Sequence, residues 1–174
     1  MKKIGRGLFT TAYLQDDGKV LLKSNDPVKE CMACGYFPNC YLFPEITVLP
    51  NDDYIMDYYG PTVALKPLLE PRQYRLYKEL NKINKLPMSD NPDHSYSVLK
   101  AAFENIPDEF AKEKEYLLYA LSGVSKYGSD VWFECTPRNV RPVNGKLLLL
   151  DCFLLRKAVM QAKQSKFKPP YMIR

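Results

Sequence analysis

The feature that most constrains this chain is the order of its hydrophobic periods: strand-like alternation comes first and helical spacing follows. In the first third, Leu8 to Leu14 and Lys19 to Lys23 are short β-like runs around Gln15-Asp16-Asp17-Gly18, where Asp-Gly is a strong hairpin signal. Thr47 to Leu49 and Tyr54 to Asp57 are two more, around Pro50-Asn51-Asp52-Asp53. Between them, Asp26-Pro27 reads as an N-cap with proline at the first helical position, opening a short helix that Gly35 could end. After Gly60-Pro61 the period changes. Tyr74, Tyr77, Leu80 and Ile83 share one helical face within residues 71 to 86, as do Phe110, Leu117, Leu121 and Val124 within residues 108 to 124. Pro87 to His94 reads as a loop. Strands before helices imply an α+β fold with two lobes meeting near residues 57 to 62.

One late hairpin interrupts the helical half. Val140 to Val143 and Lys146 to Leu150 flank Asn144-Gly145, a favoured type I′ pair. Pro142 cannot donate to a ladder, so its arm is an edge. The hairpin sets Asn139 just before its first strand and Asp151 just after its second. Two oxygen-bearing side chains at one open end can share a cation.

Composition narrows the function classes. At 174 residues, 46% apolar and 26% charged, the chain is one packed globule rather than a disordered or multidomain protein. No stretch approaches the roughly 18 apolar residues that span a bilayer. The basic N-terminus lacks the apolar core of a secretory signal, so the expected compartment is the cytoplasm. A net charge of +5 is too mild to call for nucleic acid. Arg156, Lys157, Lys163, Lys166, Lys168 and Arg174 meet no acid after Asp151, which reads as a solvated helix face and tail. Cys31, Cys34 and Cys40 form C-x2-C-x5-C, but a second close pair is missing and His94 is distant. Reduced thiols are the expectation there, not zinc.

Two short segments carry chemistry. Ile4-Gly5-Arg6-Gly7-Leu8-Phe9 contains two glycines one residue apart, which let backbone approach phosphates without a Cβ collision. Phe9 and Tyr13 could exclude water from such a site. Lys23, ending the second strand, is either a solvated lysine or one that reaches phosphate oxygens beneath the glycine turn.

The order of the pieces is more specific than any one. Gly5-x-Gly7, Lys23, Tyr54 to Tyr58, Glu134-x4-Asn139 and Asp151-Cys152-Phe153 together resemble the protein-kinase-like fold. More narrowly, the chain resembles the small early Ser/Thr protein kinases of podoviruses that infect enteric bacteria, through G-x-G-x-F-x-x-A-Y at Gly5 to Tyr13. The resemblance spans roughly residues 4 to 153. It implies a minimal bilobal fold, with an antiparallel-sheet N-lobe over residues 1–59 and a reduced helical C-lobe over residues 60–174. It implies that Gly5, Gly7 and Phe9 cover ATP and that Lys23 holds its phosphates. Met56 takes the gatekeeper place, with Asp57 to Tyr59 as backbone contacts to adenine. Asn139 and Asp151 would hold Mg2+, and Glu134 would orient the acceptor hydroxyl.

The departures from that pattern open alternatives. Glu134 stands where the family has aspartate, Trp132 where it has histidine, and Thr10 where it has the third glycine. Glu30 and Glu45 are both candidates for the partner of Lys23, and Asp130 is the nearest substitute for Glu134 as base. Only 23 residues follow Asp151, without the usual peptide-docking segment. The leading expectation is Mg-ATP-dependent phosphoryl transfer to Ser or Thr of a host bacterial protein, in the host cytoplasm if the chain is phage-encoded. A pseudokinase that binds and inhibits a host protein is the first alternative, and a small-molecule phosphotransferase the second.

Overall fold

The structure is a computed structural model that describes residues 1–86 and 91–166. Its N-terminal part is a five-stranded antiparallel sheet. Lys2–Arg6 (β1), Thr10–Leu14 (β2), Lys19–Ser24 (β3), Thr47–Val48 (β4) and Tyr54–Asp57 (β5) lie in the order β1-β2-β3-β5-β4. Gln15 N–H donates to Lys19 O at 2.8 Å and Gly18 has φ 81°, so the β2–β3 turn needs the left-handed conformation that glycine accepts. Along β3, Val20 and Leu22 are buried while Lys19 and Lys23 are exposed, the two-residue period of a half-buried strand. Burying each of those apolar side chains is worth roughly 1.5–3 kcal/mol.

Pro27–Ala33 (α1) follows β3 directly. Asp26 caps it, its Oδ1 accepting from Val28 N at 3.0 Å, with proline at the first helical position. The C-terminal part holds Pro71–Ile83 (α2), Pro92–Glu104 (α3) and Ala111–Ser125 (α4). Val131–Phe133 (β6) pairs with Phe153–Leu155 (β9), and Val140–Val143 (β7) with Lys146–Leu149 (β8). Arg156–Lys166 (α5) ends the described chain. Asn144 and Gly145 have φ 50° and 77°, as a type I′ turn requires.

The sheet-first, helix-later order is therefore the observed α+β architecture. Several expectations need correction. The stretch read as a loop from Pro87 to His94 already enters α3 at Pro92; residues 87–90 lie outside the described residues. The apolar positions Tyr96, Leu99 and Phe103 do carry a helical period, but the preceding Pro and Asp residues obscure it. β1, β6 and β9 were not expected; three-residue strands are too short to display alternation, and β1 is exposed along its whole length.

One hydrophobic cluster runs through both parts. At its centre is Phe153, with ring centroids 5.8 Å from Phe37, 6.3 Å from Phe43, 6.1 Å from Phe103 and 5.2 Å from Phe133. Phe37 and Phe43 lie in the loop after α1, whereas Phe103 and Phe133 belong to the helical part. Helix α4 comes close to that loop: a Cβ on Gly123 would collide with the Tyr36 carbonyl. Among the described residues no helix is long and apolar enough to cross a membrane.

Candidate active site

A cavity of about 1130 Å³ lies between the sheet and the β7–β8 hairpin. Gly5, Gly7, Phe9, Met56 and Tyr59 line it from the N-terminal side; Glu134, Asn139 and Asp151 line it from the other. Eight of the residues that carry the sequence argument thus share one space. The glycine turn is closed by Gly7 N–H to Thr10 O at 2.7 Å, and Gly5 pairs with Ala12 across β1–β2. Thr10, at the expected third-glycine place, shares a 2.6 Å hydrogen bond with the Ser24 hydroxyl.

Lys23 does not belong to this space. Strand alternation turns Val20 and Leu22 toward the cavity and Lys23 to the opposite, exposed face. Among the described residues neither Glu30 nor Glu45 forms an ion pair with Lys23, and both acids are exposed. Asp57 also falls outside the lining; its carboxylate pairs with Lys19 at 2.5 Å on the outer face. The hinge residues that reach the cavity begin at Tyr58.

The lysine that does reach it is Lys29. It sits on α1, three residues after the Asp26 cap, and is 4% exposed. Its ammonium donates to Asp151 Oδ1 at 2.8 Å and to Leu150 O at 3.2 Å. Burial works to lower its pKa, but the charges of Asp151 and Asp26 outweigh that and raise it, so Lys29 is a cation. Asp26 completes the cluster. Burial pushes its carboxyl up to about 6, against the pull of Lys29 and with the repulsion of Asp151. Sequence spacing offered only a faint signal for this group, since Asp26 and Lys29 at i, i+3 read as an ordinary surface pair. The contact that gives it meaning spans 122 positions.

The hairpin end is built as expected from Asn144-Gly145. Leu150 N–H donates to Asn139 O at 2.8 Å, which continues the β7–β8 ladder and sets Asn139 beside Asp151. Asn139 Nδ2 donates to Glu134 O at 3.2 Å, leaving its amide oxygen. Asp151 keeps a second carboxylate oxygen beyond the one bonded to Lys29. Two hard oxygens on adjacent positions fit a small divalent cation. Glu134 leaves β6 with its N–H bonded to Cys152 O at 2.7 Å, and its carboxylate pairs with Arg138 at 3.3 Å.

Asp130 is not a second base candidate. It is 8% exposed, its side chain accepts from Lys157 N–H, and its carbonyl accepts from Arg156 N–H at 3.0 Å. It caps α5. Among the cysteines, Cys31 is fully buried and burial pushes its thiol up to about 12, while Cys34 is exposed. Among the described residues no group of three or more His, Cys, Asp or Glu side chains could hold a metal ion.

Arg141, which the sequence did not single out, also lines the cavity, as does Lys163, which the sequence reads as part of a solvated basic face. Helix α5, which carries Val159 and Lys163, thus bounds part of the cleft.

No protein-family model matches the chain, and no curated protein matches it. Solved structures to which the chain is similar, at low identity, include three of phosphotransferases. Aminoglycoside phosphotransferase APH(2'')-Ib with ADP bound is 14% identical with a TM-score of 0.40, over 86% of this chain and 64% of that one. The streptomycin–ATP–APH(2")-IIa ternary complex is 13% identical with a TM-score of 0.37, over 86% and 64% of the two chains. The gentamicin–APH(2")-IIa complex is 12% identical with a TM-score of 0.39, over 86% and 63%. The chain thus spans less than two thirds of the length of these structures.

Proposed function

We propose that the chain binds Mg-ATP in this cleft and transfers its terminal phosphoryl group to a hydroxyl. The observation that carries the reading is the ion pair of buried Lys29 with the solvent-facing Asp151, which faces a two-glycine turn with Asn139 beside it. An ammonium has three donors. Two of those on Lys29 are directed to Asp151 and Leu150, and the third suits a phosphate oxygen. Backbone N–H groups of the glycine turn approach the same phosphates, where a side chain would stand in the way. Asn139 and Asp151 would hold magnesium, which when bound neutralises phosphate charge. Glu134 would orient the acceptor hydroxyl and accept its proton once its carboxylate turns from Arg138. Catalysis of this kind rests on positioning and charge neutralisation, which this chain supplies with few residues.

The placement of α5 favours a compact acceptor. A helix rather than an extended segment follows β9, and Val159 and Lys163 from it border the cleft. A small hydroxylated molecule fits such a site more readily than an extended peptide. A Ser or Thr of a host protein would require docking outside the cleft, and the basic face of α5 would be the first place to look. The test is incubation of the protein with γ-labelled ATP and magnesium, with small hydroxylated acceptors in one arm and bacterial lysate in the other. Transfer in the first arm, lost in Lys29→Ala, is expected. Mg-ATP binding without transfer in either arm would overturn catalysis and leave the pseudokinase reading, which the Glu134–Arg138 ion pair favours.

A further inference from the structure

The hinge end of the cavity holds a cation that the phosphate chemistry leaves unused. Arg141, on β7, lines the cavity and is held by three backbone carbonyls. Its Nε donates to Gly60 O at 2.9 Å, and its Nη1 donates to Arg138 O at 3.0 Å and Val140 O at 2.7 Å. Among the described residues no carboxylate forms an ion pair with it. Burial lowers its pKa, and the charge that acts in the other direction is that of the Tyr58 hydroxyl. Bonds from both Nε and Nη1 fix the plane of the guanidinium as well as its position.

The cavity lining combines charged and apolar side chains. Asp26, Lys29 and Asp151 form one charged cluster in it. Val20, Ala12 and Met56 from the sheet line the cavity with Arg141 and the hinge residue Gly60. A ligand with an anionic part and a flat part fits this lining. A planar guanidinium stacks on aromatic faces, and it does so best where it is desolvated and held in place.

We propose that Arg141 is the platform on which the nucleobase stacks, a binding contact that rests on the nucleotide reading above. The base lies between the guanidinium plane and the aliphatic side chains of β2 and β3. Arg141 therefore sets affinity for the base, while Lys29 sets affinity for the phosphates.

The test compares adenosine, Mg-ATP and inorganic tripolyphosphate binding to the wild type, Arg141→Leu and Arg141→Lys by titration calorimetry. Melting temperatures without ligand show which variants fold. Arg141→Leu is expected to weaken adenosine and ATP by about tenfold and to leave tripolyphosphate within about twofold. Arg141→Lys keeps the charge but not the plane, so adenosine should weaken by about fivefold. If loss of the carbonyl bonds unfolds the leucine variant, the lysine variant decides. Equal loss for tripolyphosphate and ATP would mean that the guanidinium pairs with phosphate, and would overturn the platform. So would full adenosine affinity in either variant while the wild type binds ATP. A wild type that binds none of the three ligands overturns the nucleotide reading and this inference together.

Discussion

Two buried acids in this protein sit beside cations, yet their surroundings differ in a way that separates structure from function. Glu113, on α4, is 2% exposed, and both of its oxygens are used. Arg72 donates to them at 2.6 and 2.9 Å, and the Tyr41 hydroxyl donates to Oε1. Gln73 extends the network, bonding to Tyr41 at 3.0 Å and accepting from Leu147 N at 3.1 Å. Burial pushes Glu113 up, but the hydrogen bonds from Arg72 and Tyr41 outweigh it and hold the carboxyl at about 2. Asp26 is 7% exposed, caps α1 through Val28 N–H, and has no cation within ion-pair distance among the described residues. Its carboxyl is raised to about 6. The satisfied cluster ties α2, α4 and β8 together. The unbalanced one borders a cavity, where a ligand can complete it.

Breaking the satisfied cluster should have the largest effect. Glu113→Gln removes the charge that Arg72 pairs with and turns one of the two acceptor oxygens into an NH2 donor, and urea unfolding should show a loss of about 3 kcal/mol. Its pH signature is also defined. A depressed carboxyl stabilises the fold above its unfolded pKa near 4.5, and that contribution fades as pH falls toward 2. The variant should lack this acid-side slope. If it is as stable as the wild type at pH 7, the network is not the fastener described here.

Lys29 comes next, and its effect should depend on ligand. At 100 times the Kd, Mg-ATP should stabilise the wild type by about 2.7 kcal/mol. Lys29→Met should lose most of that stabilisation in thermal melts while folding without ligand. A variant stabilised as strongly as the wild type would remove Lys29 from the phosphate site.

The third experiment inverts the usual expectation for a buried acid. A carboxyl raised to about 6 favours the folded state when protonated, so stability falls as pH rises from about 4 through about 6. Asp26→Asn keeps an acceptor for the α1 cap and removes the charge. It should raise stability at pH 7.5 by about 1–2 kcal/mol and flatten the slope between pH 4 and 6. Destabilisation at pH 7.5 would show that Lys29 depends on Asp26 as much as on Asp151. The smallest effect belongs to Lys23→Ala, which should stay within about 0.5 kcal/mol of the wild type and keep its full response to Mg-ATP. A lost response would return Lys23 to the site.

What sequence could reveal here follows the range of the forces involved. Asp26-Pro27, Asp17-Gly18 and Asn144-Gly145 act through neighbouring backbone, and each produced the expected cap or turn. The hairpin then carried Asn139 and Asp151 to one place, because a ladder fixes what lies at its open end. Lys23 against Lys29 was the opposite case. A lysine at a strand end is placed by the parity of that strand, and Leu22 rather than Lys23 takes the inward position. Parity depends on which face is covered, and that is decided by packing against distant parts of the chain. Arg141 was hidden for the same reason, since its partner carbonyl at Gly60 is 81 positions away.

The position of Phe153 bears on how this protein can be dissected. Its ring is shared between the loop that follows α1 and the helical half, and Asp151 is only two residues before it. A cut at the hinge would therefore leave each fragment with an open aromatic socket or an exposed ring. Native-state hydrogen exchange should show the core amides of both halves opening in one cooperative unit rather than as two separate foldons. The cleft would then vanish whenever either half unfolds, so a nucleotide would act as a clamp on the whole chain, and limited proteolysis would report its binding far from the site it occupies.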